Sequence, residues 1–189
     1  MLHAGLEAAA PFGTAALAAM GICTKINMVP MYVAMGFSQG VMPFISYNYS
    51  SGDHKRMRGA LSFSIKIVEV MLVLSAAAMF FFAGPLVRAF IGDQETVAYG
   101  ARFLRGFCLA QPFLALDFLC VGVFQAVGMG REALVLAILR KAVFEIPLLY
   151  LLNRFFPLYG LPYAQAVTEC VMAAIAVGLV VRFLGRLKK

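Results

Sequence analysis

Five apolar stretches, each long enough to cross a lipid bilayer, limit what this chain can fold into: about Thr14 to Asn48, Met57 to Phe82, Glu95 to Val127, Glu132 to Asn153 and Leu161 to Leu184. Each ends at a cluster of Gly, Pro, Asn or charge. A spanning helix needs about 20 largely apolar residues, and no backbone group facing lipid can stay unpaired, so only helices or a closed barrel can cross. The stretches are too long and unbroken for a barrel, whose strands alternate over about 10 residues. The predicted fold is therefore all-α: a multi-pass transmembrane helix bundle of about five spanning helices, with residues 1–189 as a single membrane domain. Composition points the same way, with 62% hydrophobic and 13% charged residues against roughly 45–50% and 25% in soluble domains.

The first and third stretches exceed a hydrocarbon core of about 30 Å at about 1.5 Å per residue, so they must tilt, kink or project into water. Pro30 and Pro112 lie inside them and Pro147 inside the fourth, each removing a backbone donor and bending its helix. Between the second and third stretches, Pro85 to Asp93 is too short to cross and suits the interface. Asp93 and Glu95 come next, at a predicted helix start, where carboxylates meet the positive end of the macrodipole.

A formal net charge of +7 would suggest nucleic acid in a soluble protein, but these cations cap apolar segments instead of forming a patch with interleaved aromatics. They read as topology signals, and no nucleic-acid partner is expected. His54, Lys55, Arg56 and Arg58, then Arg131, then Arg182, Arg186, Lys188 and Lys189 fall on one side after five crossings. Arg88, with Asp93 and Glu95, and Arg154 fall on the other. The positive-inside rule makes the tail cytoplasmic and the start outward-facing, although Arg102 and Arg105 near the outer end of the third segment run against it. Because Met1 to Gly13 lacks the pattern of a signal peptide, an outward start suggests a missing preceding helix. Cys23, Cys108, Cys120 and Cys170 are expected as small packed apolar residues. His3 and His54 form no constellation for metal or nucleophilic chemistry, and no enzyme activity, metal or organic cofactor is predicted.

GFSQGVMPFISYN at Gly36 to Asn48 holds a GxxxG pair, Gly36 and Gly40, that permits close helix approach, with Gln39 between them. Taken with AALAAMGICTKI before it and YSSGDHKRM after it, the stretch resembles the eighth helix of the multidrug and toxic compound extrusion (MATE) family. FFFAGPLVRAFIGDQETVAYGARFLR resembles that family's outer interfacial helix and the helix start after it. QPFLALDFLCVGVFQAVGMGREA resembles its tenth helix. LRKAVFEIPLLYLL with FPLYGLPYAQAVTE resembles its eleventh helix, outer turn and entry to the twelfth. The order and spacing of these segments, from about Gly13 to Leu184, carry the resemblance more than any one of them does.

The resemblance implies an incomplete second lobe of a twelve-helix transporter that exports cationic or amphipathic drugs by Na+ or H+ antiport, from the inner (plasma) membrane. Its partners would be the lipid bilayer, small organic cations and a missing N-terminal lobe, of which Met1 to about Phe12 could hold the last trace. Candidates for the substrate or cation pathway are Asn27, Gln39, Gln111, Asp117 and Gln165. Asp117, the only Asp inside an apolar run, must face a cavity, find a cation, hold a proton, or hydrogen-bond a neighbouring helix. Lys66 and Glu69 suit an interface salt bridge or a coupling role, whereas Arg140 and Lys141 are expected to snorkel to the cytoplasmic interface. Lys25, Gln125 and Glu169 are expected, like Asn27, Gln111 and Gln165, to face other helices. Rival readings are a flippase of lipid-linked oligosaccharides, which the scarcity of central Arg and Lys disfavours, and an inactive membrane fragment or scaffold.

Overall fold

The computed structural model of the chain describes residues 13–155 and 160–187. Helix α1 spans Thr14–Ser50, α2 His54–Phe81, α3 Ala83–Arg88, α4 Gln94–Cys108 and α5 Gln111–Ala126. After these come α6 at Gly130–Ile138, a π-helical segment at Leu139–Glu145, α7 at Ile146–Phe155 and α8 at Gly160–Arg186. The expectations placed on Met1 to Phe12, including His3, on the outer turn between Phe155 and Gly160, and on Lys188 and Lys189 lie outside the described residues.

The described residues are helical, with no strand among them, as the apolar runs require. Helices α1, α2 and α8 are long and apolar enough to cross a membrane, and the pair α4 and α5, bent by 46°, adds a fourth span if taken as one. The fourth predicted segment differs from its expectation, since it is not one uninterrupted α-helix but the composite α6, π segment and α7. Pro147 supplies the reason. It cannot donate to the carbonyl four residues back, and its ring crowds that carbonyl. The backbone upstream widens, and the Ile146 N–H bonds back five residues to the Lys141 carbonyl.

The other prolines act according to position. Pro112 enters α5 in its first turn, where no amide donor is missed, so the bend falls just before it at Leu109 and Ala110. Pro30 and Pro43 lie inside α1 without ending it, and at about 1.5 Å per residue that helix is about 55 Å long. Asp93 caps α4 as predicted: its carboxylate accepts from the Thr96 amide at 2.9 Å and the Thr96 hydroxyl at 2.6 Å. Between α5 and α6, Gly128 adopts φ 79°, the left-handed position that lets the Met129 amide reach the Phe124 carbonyl at 2.8 Å and close the helix.

Packing divides the bundle into two ends and a middle. At one end, Ala16, Met20, Met79, Ala83, Val87, Phe103 and Ala164 form a cluster joining the start of α1, the end of α2, α3, α4 and the start of α8. At the other, Ile45, Met57, Phe124, Leu136 and Val180 join the end of α1, the start of α2, α6, and the ends of α5 and α8. Arg58 donates to the Leu184 carbonyl there. The His54–Arg58 turn and the end of α8 therefore share one end of the molecule.

Close helix approach uses different glycines from those expected. A Cβ on Gly36 or Gly40 would meet nothing within 4 Å, and both residues are exposed. Gly122 on α5 takes that role instead: a Cβ there would lie 2.5 Å from the Ser38 hydroxyl, which donates to the Phe118 carbonyl at 2.9 Å and ties α1 to α5. Cys23, Cys108 and Cys120 are buried as predicted, whereas Cys170 is exposed, on the outer face of α8.

Candidate functional site

Three charged side chains meet inside the bundle. Arg140, second residue of the π segment, extends between α5 and α8. Its guanidinium donates to Asp117 Oδ2 at 3.0 Å through Nη1 and to Glu169 Oε1 through Nη2. The side chains of Asp117 and Glu169 are 2% and 1% exposed and that of Arg140 13%, so this is an interior ion cluster. The ring of Phe118 lies under the guanidinium, 4.9 Å from Cζ to centroid, covering the face that the carboxylates leave open. The next residue, Lys141, turns to Glu145 on its own helix at 2.8 Å, a separate pair.

The reading of Arg140 and Lys141 as cations snorkelling to the interface is thus overturned for Arg140. Two carboxylates on adjacent helices hold its guanidinium inside the bundle, where an intramembrane cation pairs with acids that also face the interior. Asp117 resolves among its alternatives by finding a cation. Glu169, read only as facing another helix, is the second acid of the cluster.

The amide candidates gather one turn away. Gln111 Nε2 approaches Asn27 Oδ1 at 3.5 Å and Met79 Sδ at 3.2 Å, bridging α5 to α1 and α2. Asn27 and Gln165, with Thr24, Met28, Met31, Phe107 and Lys141, line a cavity of about 150 Å³. Gln165 stands one helical turn before Glu169 on α8, so cavity and ion cluster adjoin. Several buried polar atoms here lack a hydrogen-bond partner among the described residues: Gln111 Oε1, Asp117 Oδ1, Arg140 Nε, Gln165 Oε1, Thr168 Oγ1 and Glu169 Oε2. Unpaired buried polar atoms are costly singly, and here they concentrate along one seam.

The remaining candidates do not join. Gln39 is exposed on α1, while its neighbour Ser38 is buried. Lys25 and Gln125 are likewise exposed, contrary to the expectation that they face other helices. The Lys66–Glu69 salt bridge does not form; Glu69 Oε2 is buried without a partner among the described residues and Lys66 is exposed on α2.

The MatE family matches residues 8–151 of the chain. The multidrug export protein MepA of Staphylococcus aureus (strain MSSA476) is 30% identical over 175 residues, which cover 92% of this chain and 38% of MepA. MepA of Staphylococcus saprophyticus gives the same identity and coverage. Among solved structures, the outward-facing conformation of a multidrug resistance MATE family transporter of the MOP superfamily superposes with a TM-score of 0.90 at 18% identity, over 99% of this chain and 42% of that one. The Vibrio cholerae MATE transporter VcmN in the bent form gives 0.87 at 22% identity, over 96% and 41%. The chain spans about 38% of the length of the curated relatives it matches.

Proposed function

As the chain belongs to the MATE family and is an integral membrane protein, we propose that it forms one lobe of a cation-coupled exporter of organic, chiefly cationic or amphipathic, compounds. The observation that carries this reading is the buried Asp117–Arg140–Glu169 cluster beside a polar-lined cavity. Two ionised carboxylates and one guanidinium leave an excess of one negative charge in a medium that solvates it poorly. A single Na+ or H+ balances the count, and its arrival or departure changes how tightly Arg140 is held. That makes the cluster responsive to a transmembrane ion gradient, while the adjoining cavity and the faces of α1 and α5 belong to the substrate path. Commitment of Arg140 to two acids also argues against a flippase of lipid-linked oligosaccharides, which needs free central cations.

In this reading the protein resides in the inner (plasma) membrane with the His54–Arg58 turn and the end of α8 cytoplasmic. Impermeant-thiol labelling of single cysteines placed in both segments tests the orientation, and labelling of either one in intact cells would reverse it. The coupling role is tested by joining the chain to a MATE first lobe and measuring gradient-driven dye export from proteoliposomes. Asp117→Asn should insert and fold but lose export. Unchanged export with unchanged pH and Na+ dependence would assign Asp117 to structure alone.

A further inference from the structure

Two charges on α2 take no part in the interior cluster. Lys66 and Glu69 stand three residues apart, and neither makes an ion pair among the described residues. Lys66 is exposed, whereas Glu69 is half-buried with Oε2 lacking a partner. Helix α2 runs from His54 to Phe81 and is long and apolar enough to cross a membrane. At about 1.5 Å per residue both charges lie within about 3 Å of its midpoint, more than about 10 Å from either edge of a hydrocarbon core of about 30 Å centred on the helix. Lysines snorkel near helix ends, not from the middle of a span. Ionised groups at this depth face the interior, line water or pair with one another, so this face of α2 calls for a cover that the described bundle does not supply.

The face has the pattern of a helix seam. Gly59, Ser62, Lys66, Glu69 and Val73 follow one another at alternating spacings of three and four, which keeps them on the stripe that one helix turns to a parallel neighbour. Gly59, Ser62 and Lys66 are exposed and Val73 is 45% exposed. A Cβ on Gly59 would meet nothing within 4 Å, so a second backbone can come close there. Grooves flank the stripe on both sides, one shared with α1 at Gly40 and Phe44 and one shared with α8 at Val177 and Val181. The stripe also carries both signs of charge. In two copies related by a two-fold axis along the membrane normal the α2 helices run parallel, and seam packing sets position 66 of one copy beside position 69 of the other. Each Lys66 then meets the Glu69 of the other copy, and all four charges are paired. A bridge within one helix would still leave both groups facing lipid.

We infer that two copies of this chain associate in the membrane through α2, with Lys66 of each paired to Glu69 of the other. The interface does not use the Asp117–Arg140–Glu169 cluster, and the inference stands apart from the transport reading.

Energy transfer between donor-tagged and acceptor-tagged chains in proteoliposomes, followed as added lipid dilutes them, measures the association. Lys66→Glu alone or Glu69→Lys alone should weaken it by roughly tenfold or more, the scale of one interhelical polar contact in a bilayer. Mixing the Lys66→Glu chain with the Glu69→Lys chain should restore it, because each then offers the other the opposite sign; a pair within one helix predicts no such rescue. If a charged variant fails to insert, Lys66→Met reads the same contact and should also weaken association. Wild-type chains that stay monomeric at every dilution overturn the inference, as do single variants that associate like wild type or a mixture that regains nothing. Loss of association when the chain is joined to a MATE first lobe would identify that lobe as the cover and overturn it too.

Discussion

Replacing Arg140 by Met tests whether the interior cluster holds the bundle as the structure indicates. The substitution keeps an unbranched side chain in the gap between α5 and α8 but removes the only cation among the described residues that contacts Asp117 and Glu169. Both acids are then left with 2% or less of their side chains exposed and no counter-charge. Breaking a buried pair from one side costs about 3–5 kcal/mol, because it strands charge in a poor solvent. The 13% exposure of Arg140 admits some water and favours the lower part of that range. Loss of the Phe118 stacking contact adds about 0.5–2 kcal/mol. Unfolding the purified chain by titrating SDS into a mild detergent, tracked by circular dichroism, gives the difference. A companion variant, Asp117→Leu with Arg140→Met and Glu169→Leu, removes every charge of the cluster and should recover most of the loss, since apolar replacement of a whole buried ion group is often neutral or stabilising. Arg140→Met within about 0.5 kcal/mol of wild type, set against the range expected for a stranded charge, refutes the reasoning. A triple variant no more stable than the single one would trace the loss to packing instead.

Gly122→Val should lower stability by about 1–3 kcal/mol by overpacking, because a Cβ at that position meets the Ser38 hydroxyl at 2.5 Å; Gly36→Val and Gly40→Val, open on all sides, should change it far less in the same SDS titration. The Thr96 hydroxyl and amide hold the Asp93 carboxyl below its ordinary value of 3.8, so the cap is fully effective above that value and is lost as pH falls through the lowered one. The protection of the Thr96 amide against exchange, measured by NMR in micelles relative to the intrinsic rate at each pH, should fall over that acid range and be low at all pH values in Asp93→Ala. Cys170 should react with maleimide in mild detergent well before Cys23, Cys108 and Cys120, which are buried; equal rates at all four would contradict the packing of α8.

The apolar runs made the fold legible because the bilayer allows so few solutions: a run of more than 20 apolar residues has to be a helix. Boundaries were also readable where a local device sets them, as with Asp93 before α4. Which face of a helix meets which neighbour was not. Gly36 and Gly40 have the spacing for close approach yet are exposed, while Gly122, in no such pair, makes the tight contact with α1. A hydrophobic pattern cannot separate a face turned to lipid from one turned to protein, since both are apolar. For the same reason Cys170, Lys25 and Gln125 could not be told from their buried counterparts.

In the interior cluster, Asp117 announced itself because an isolated acid in an apolar run needs a partner, but the partner lay on another helix. Two features beyond the local sequence bring the three residues together. Helices α5 and α8 pack through small or slender buried residues, among them Cys120 and Ala176, close enough for Asp117 and Glu169 to share one guanidinium. The π segment then sets the direction of Arg140. A turn closed by an i to i+5 bond holds one residue more than an α-helical turn and shifts the phase of every later residue by about 100°, so a uniform period carried from Arg131 to Asn153 assigns the wrong faces across it. Pro147 is the sequence mark of that shift. An Arg a few residues before an interior Pro should therefore be tested against acids on both neighbouring helices before it is assigned to the interface.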